Sequence, residues 1–292
     1  MSAIVGALTA QLLTSHIGQR GTGILSPRLW KKAVRGLQSP DGSGAGFGLL
    51  DDFENFGSVT ATGQNNGYYA YIEVDATVGA VQNVADHSGG VLKLLTSTDT
   101  SDGDNHNTVL TTGGNVGTLG AISDTAGSEK LTIFESRIRL PSVTDGDGSI
   151  FVGLGEEGLA ANAPPIRDSS GHSLSDDDLS GFYIGEDDND SLKFVYRKNG
   201  GAVQTVLTYG TGLAADTWYN VGFVYDPSEP TSRRITIFVD NEEQGTYVTG
   251  SNIAASTFPD GEELAMVACI KGSANNDPQN FLMDGWAFYQ ER

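Results

Sequence analysis

Four loops of this 292-residue chain concentrate oxygen donors of the kind a hard divalent cation takes. Asp99, Asp102, Asp104 and Asn105 lie in one and Asp145 and Asp147 in a second. Asp176 to Asp178 form a third, and Glu186, Asp187, Asp188 and Asp190 a fourth. Carboxylates and amides are the ligands calcium prefers, yet none of these loops has the spacing of a complete EF-hand. The same composition serves solvated turns. Asp99, Asp102 and Asp104 are therefore the candidate calcium ligands, against a reading in which the acids only keep the loops soluble. His16, His87, His106 and His172 are scattered without paired metal spacing, which excludes an ordinary zinc site, and His106 between Asn105 and Asn107 reads as a turn residue. The glycine runs GGNVG and GDGS are not followed by a helical pattern, so they are turns and not phosphate cradles. No nucleophile elbow is present, and no catalytic residue is assigned.

Aromatic side chains offer a different chemistry, the stacking of a ring on a pyranose. Trp218, Trp286, Tyr68, Tyr69 and Tyr71 are available for it. Trp218 and Trp286 fall within strand patterns and read as core residues, whereas part of the Tyr68-Tyr69-Ala70-Tyr71 run must face outward, because neighbouring strand residues point to opposite sides. The single cysteine, Cys269, sits in the apolar run Leu264 to Ile270 and reads as a buried inert thiol, so no intrachain disulfide forms.

Charge divides the chain in two. Of 17 Lys and Arg residues, five (Arg20, Arg28, Lys31, Lys32 and Arg35) fall within the first 40 positions, which contain no Asp or Glu. All 37 acidic residues, against 12 basic ones, follow. A basic arm is thus joined to an acidic, self-repelling body, and phosphate-rich partners such as nucleic acid or anionic lipid are disfavoured on that body. The apolar stretch Ala3 to Leu13 has no basic residue before it, is interrupted by Thr9 and Gln11, and is shorter than the roughly 20 residues that span a bilayer. Neither a signal peptide nor a membrane-inserted helix is expected.

The elements that must position these residues differ between the two regions. Ile4, Val5, Leu8, Leu12 and Leu13 recur on one helix face. Ser26 is a candidate N-cap for a second short helix with Pro27 at its first position. In it Leu29, Trp30, Ala33, Val34 and Leu37 form a stripe, with Arg28, Lys31, Lys32 and Arg35 on the other side. The run SPDGSGAGFG has linker chemistry, which sets the expected domains as an arm over 1–46 and a second unit over 47–292. From Phe47 onward the apolar pattern has period two. Within Lys130 to Pro141, Phe134, Ile138 and Leu140 share one face, while Glu135, Arg137 and Arg139 share the solvent face of a half-buried strand. Strands are predicted at Tyr68 to Asp75, Val91 to Thr96, Thr132 to Leu140, Ile150 to Leu154, Phe182 to Gly185, Leu192 to Arg197, Val203 to Tyr209, Trp218 to Tyr225, Arg234 to Asp240, Leu264 to Lys271 and Leu282 to Tyr289. Many short strands without intervening helices predict an all-β sandwich or barrel.

The segments TWYNVGFVYDP, RRITIFVDNEEQG and the closing FLMDGWAFYQ, with FESRIRL and SGFYIG upstream, resemble the strands of concanavalin A-like and laminin G-like jelly rolls. The resemblance spans roughly residues 50 to 290 and implies a jelly-roll β-sandwich; its motifs are specific for fold and weak for function. Some members of that family cleave polysaccharides with a Glu-x-Asp-x-x-Glu strand, in which alternate carboxylates share one face. The nearest match is Glu73-Val74-Asp75, but Val78 stands where the last glutamate would fall, so no enzyme activity is expected.

A short helical arm before a lectin-like sandwich also resembles virion proteins of tailed phages, where such domains decorate capsids or sit on fibres. The resemblance implies a non-enzymatic structural protein on the outer surface of a virion. Its arm would dock on the major capsid protein or another virion protein, through Ile4, Leu8, Leu12, Arg28, Leu29, Trp30, Lys31, Lys32 and Arg35. Copies would associate, three by analogy. The alternatives are a carbohydrate-binding adhesin recognising a surface glycan and, last, a glycoside hydrolase. In another arrangement the arm packs back on its own sandwich.

Overall fold

The computed structural model describes residues 25–31, 46–53, 65–66, 69–74, 80–84, 90–96, 107–111, 119–144, 148–156, 165–166, 173–186, 191–210, 212–272 and 280–291. The chain forms an all-β jelly-roll sandwich of two eight-stranded sheets, in which every described pairing is antiparallel. In chain order the strands are β1 (Phe47–Asp51), β2 (Asn65–Asn66), β3 (Tyr69–Val74), β4 (Ala80–Asn83), β5 (Leu92–Leu95), β6 (Asn107–Thr111), β7 (Thr132–Arg139) and β8 (Ser149–Glu156). They continue with β9 (Leu179–Ile184), β10 (Lys193–Arg197), β11 (Gln204–Thr208), β12 (Trp218–Tyr225), β13 (Ile235–Val239), β14 (Glu242–Val248), β15 (Leu264–Lys271) and β16 (Asn280–Gln290). A helical turn over 27–31, α1, precedes them. A second, α2 (Gly250–Ile253), is closed by a capping box between Thr249 and Asn252.

Sheet A runs β14-β13-β12-β7-β16-β5-β4, with β1 paired to the last part of β16. Sheet B runs β11-β10-β9-β8-β15-β6-β3-β2. The chain crosses between the sheets repeatedly, so neighbours within a sheet come from distant parts of the sequence, as in the central β12-β7-β16 triplet. Alternation explains how each strand serves two environments. Phe134 and Ile138 of β7 and Tyr219, Val221, Phe223 and Tyr225 of β12 enter the main core between the sheets, where they meet Phe182, Phe194, Trp286 and Phe288. Their neighbours in sequence point to the outer face of sheet A.

All the predicted strands fall on observed ones, the third in sheet B starting earlier, at Leu179. Five strands carried no prediction: β1, β2, β4, β6 and β14. Each is short, polar or glycine-bearing, and its place comes from the partner it pairs with. The hairpin between β13 and β14 turns through Asp240 (φ 49°) and Asn241 (φ 62°), the positive-φ pair that a two-residue turn needs to match strand twist. Among the described residues no helix is long and apolar enough to cross a membrane.

Candidate functional site

On the outer face of sheet A, Glu135 stands between two very small residues, Gly222 on β12 and Ala287 on β16, each its direct cross-strand partner. The hollow this leaves is filled by the segment 25–31. Leu25, Leu29 and Trp30 are buried there against Leu131, Ile133, Val224, Phe238, Ala287 and Tyr289. The fit is close, since a Cβ added at Gly222 would lie 2.5 Å from Leu29 Cδ1 and 2.7 Å from the Phe134 carbonyl.

Glu135 is the polar centre of this seat. Ser26 N donates to its Oε2 at 2.9 Å and Oε1 at 3.1 Å, Trp30 Nε1 donates to Oε2 at 2.6 Å, and Asn220 Nδ2 donates to Oε1 at 3.3 Å. Only 1% of Glu135 is exposed. Burial pushes its carboxyl up to about 7, against which the hydrogen bonds from Ser26, Trp30 and Asn220 act in the opposite direction. The start of α1 is finished by the hairpin turn: Arg28 N donates to Asn241 Oδ1 at 2.9 Å, and the Arg28 guanidinium meets Glu242 at 2.6 Å on the surface. The first free N–H groups of the turn are thus satisfied by the sandwich, as helix starts require.

Expectations for the arm are corrected here in two respects. Leu29 and Trp30 do not form an exposed docking stripe, because the chain's own sheet covers them. Glu135 is not a solvated strand residue, because its cross-strand neighbours are too small to keep the segment 25–31 away from it. Arg28 and Lys31 are exposed. Ile4, Leu8, Leu12, Lys32 and Arg35 lie outside the described residues.

Further along the outer face of sheet A, Arg137, Arg139, Trp218 and Asp284 are partly exposed. Trp218 is half-buried there and not in the core, a third correction, whereas Trp286 is fully buried as expected. The guanidinium carbons of Arg137 and Arg139 lie 5.1 and 5.8 Å from the Trp218 ring centroid. Arg137 pairs with Asp284, and Arg139 pairs with Asp216 at 2.6 Å. The result is an aromatic ring rimmed by donors and acceptors, with cation–π contacts holding the arginines over it.

On sheet B, the outer face of β8, β9, β10 and β15 is covered by apolar contacts. Phe151, Leu179, Val195, Val267 and Cys269 pack under Ile166 and Leu174, which form a bridge with each other. Arg197 holds this cover by donating to the carbonyls of Leu174 (3.0 Å) and Ser175 (2.9 Å) and by pairing with Asp176 at 2.7 Å. Cys269 is buried and its thiol is pushed up by desolvation, in keeping with an inert residue.

The third acidic loop is held together by protein groups. Asp176 Oδ1 accepts from Gly200 N at 2.8 Å, Asp178 Oδ1 from Asn199 N at 3.0 Å, and Glu156 Oε2 from Asp178 N at 3.3 Å. Glu156 is raised mainly by burial, with Asp177 and Asp178 adding to it as negative neighbours. Among the described residues no group of three or more acidic, histidine or cysteine side chains is placed to hold a metal. The calcium candidates Asp99, Asp102 and Asp104 lie outside those residues, as do Asn105, Asp145, Asp147, Asp187, Asp188, Asp190 and all four histidines. Glu73 pairs across from Thr108 within β3, near the edge of sheet B, and Asp75, Val78 and Tyr68 are outside the described residues.

No family model and no curated protein matches this chain. Among solved structures it is similar to the carbohydrate recognition domain of Emp47p, at 14% identity over 84% of this chain and 96% of that one, with a TM-score of 0.49. It is likewise similar to the Bacillus licheniformis β-glucanase (17% identity, 85% and 100% covered, TM-score 0.49). A carbohydrate esterase from the Shiga toxin-encoding bacteriophage phi24B gives 15% identity, 85% and 100% covered, and a TM-score of 0.46.

Proposed function

We propose that the chain is a non-enzymatic structural protein of a virion, a capsid-decoration or fibre-like module held by its N-terminal region with the acidic sandwich outward. The observation that carries this reading is the seating of residues 25–31 on sheet A through Glu135. A flexible arm would leave the sandwich free to swing. A seated one fixes where the preceding basic and apolar residues leave the body, which is what a module needs to sit on a shell in a defined orientation. Arg28 and Lys31 stay at the surface beside that exit. Docking then falls to Ile4, Leu8 and Leu12 with the basic side chains, while Leu29 and Trp30 act as the internal fastening.

Deleting residues 2–24 keeps the seat and removes the proposed docking stretch. The truncated chain, coexpressed with the structural proteins of the same particle, is expected to fold normally but to be missing from purified particles. Incorporation at the level of the full chain would overturn the reading.

A second reading, glycan binding, is favoured by Trp218, a partly exposed aromatic ring on the outer face of sheet A beside Arg137, Arg139, Asp216 and Asp284. A glycan array with calcium and again with chelator would give signals lost in Trp218→Ala if this face binds sugar. No signal in either condition would remove it.

A further inference from the structure

Glu135 is buried, and every hydrogen bond described for it comes from a neutral donor. Three of those four contacts come from the segment 25–31 itself. When that segment lifts away, the carboxyl lies on the outer face of a sheet between Gly222 and Ala287, open to water. The two states of the seat therefore place the same carboxyl in very different environments, the condition for coupling a movement to a proton.

We propose that the seat is proton-coupled: the segment 25–31 is held most tightly when Glu135 is protonated and loosens as Glu135 ionises. The inference rests on the reading of this seat as the module's fastening and adds its regulation. Charged and titratable groups approach the seat from four elements. From β7 the next outward residue is Arg137, engaged by Asp284. From α1, Arg28 is engaged by Glu242 and Lys31 is exposed. From the β13–β14 turn, Asp240 accepts from Asn220 N, and its carboxyl is raised mainly by burial, so its own titration is followed through the Asp240→Asn variant as a control. From β16, the Tyr289 hydroxyl is pushed up to about 12, mainly by burial. Phe238, Ile133, Val224 and Ala287 complete the walls.

The sign follows from burial. Seated, Glu135 takes up a proton near pH 7, and unseated it returns toward the ordinary carboxylate value of 4.5. Seating thus binds a proton. It is strongest below about pH 4.5, weakens as pH rises, and levels off above about 7.

The test uses the full chain alone, with no partner. Its failure therefore leaves the anchoring role standing, and failure of particle incorporation leaves this inference standing. The indole N–H resonance of Trp30 is followed by NMR from pH 4.5 to 8.5, together with amide exchange of Ser26 and Trp30. Exchange is corrected for its intrinsic pH dependence and referred to amides of β15. The Trp30 indole resonance is expected to titrate with a midpoint near 7, and the opening of the segment to rise about 100-fold between pH 5 and 8. Glu135→Gln should flatten both curves. Should that variant fail to fold, Trp30→Phe keeps the carboxyl and removes one donor to its charged form, so the pH-dependent opening should persist with a larger amplitude. A flat profile in the natural chain, the same slope in Glu135→Gln, or a smaller amplitude in Trp30→Phe would overturn the proposal.

Discussion

Each outer face of the sandwich carries an apolar cover over part of its area, but the two covers are held by different physics. Sheet B is closed by Ile166 and Leu174, apolar residues that follow shortly after β8, the strand they help cover, and are tied down by Arg197. On sheet A the cover is a segment more than a hundred residues away in sequence from the carboxyl group that holds it. The local cover is held by apolar packing with an ion pair, Arg197 with Asp176, at its side. A distant segment gains its register from directed hydrogen bonds, and Glu135 supplies them at the expense of a buried acid. The difference marks one face as scaffold and the other as the place where the chain is fastened.

The largest effect expected from breaking this comparison is at Trp30. Trp30→Ala should remove about 3–5 kcal/mol of seating, as large-to-small changes at buried aromatics do. Protease sensitivity should then appear in the segment 25–31 while the near-UV spectrum of the sandwich core is retained. Leu174→Ala, the counterpart on sheet B, should instead lower the unfolding midpoint of the whole domain, by about 2–3 kcal/mol, with no new cleavage at 25–31. Gly222→Ala is next. Its methyl would meet Leu29 Cδ1 and the Phe134 carbonyl, so a loss of about 1–3 kcal/mol is expected, relieved in part by Leu29→Ala in the same chain. Arg139→Ala should do least. Its ion pair with Asp216 joins a quarter-exposed side chain to a mostly exposed one, and a change under about 1 kcal/mol is expected in urea unfolding.

The fold was legible wherever a strand carried its own pattern. FESRIRL and TWYNVGFVY alternate and lie at the centre of sheet A, with RITIFV paired beside them. β1 was hidden in a glycine-rich stretch and β14 in EEQGTYV, because both take their conformation from a partner strand and not from their own residues. The seat was harder still to see. Ser26, Pro27, Leu29 and Trp30 announced a short amphipathic turn, yet the stripe alone did not say what would bury it. Glu135 alternated with Phe134 as a solvent-facing residue should, and the signal that it is buried, Gly222 and Ala287 on either side, exists only once β12, β7 and β16 are in register. Trp218 was misjudged for the same reason, since its parity within β12 places it outward while Tyr219 enters the core.

The account turns on the contact between Trp30 and Glu135, and a double-mutant cycle measures it most directly. Trp30→Phe, Glu135→Gln and the double variant would be unfolded in urea at pH 8, where Glu135 is ionised. A coupling of about 1.5–3 kcal/mol is predicted, the range of hydrogen bonds to a charged group, shrinking at pH 5 as the carboxyl becomes neutral. Additive effects at both pH values, with no coupling, would contradict the claim that the Glu135 side chain, through Trp30, fastens the N-terminal segment to the sandwich.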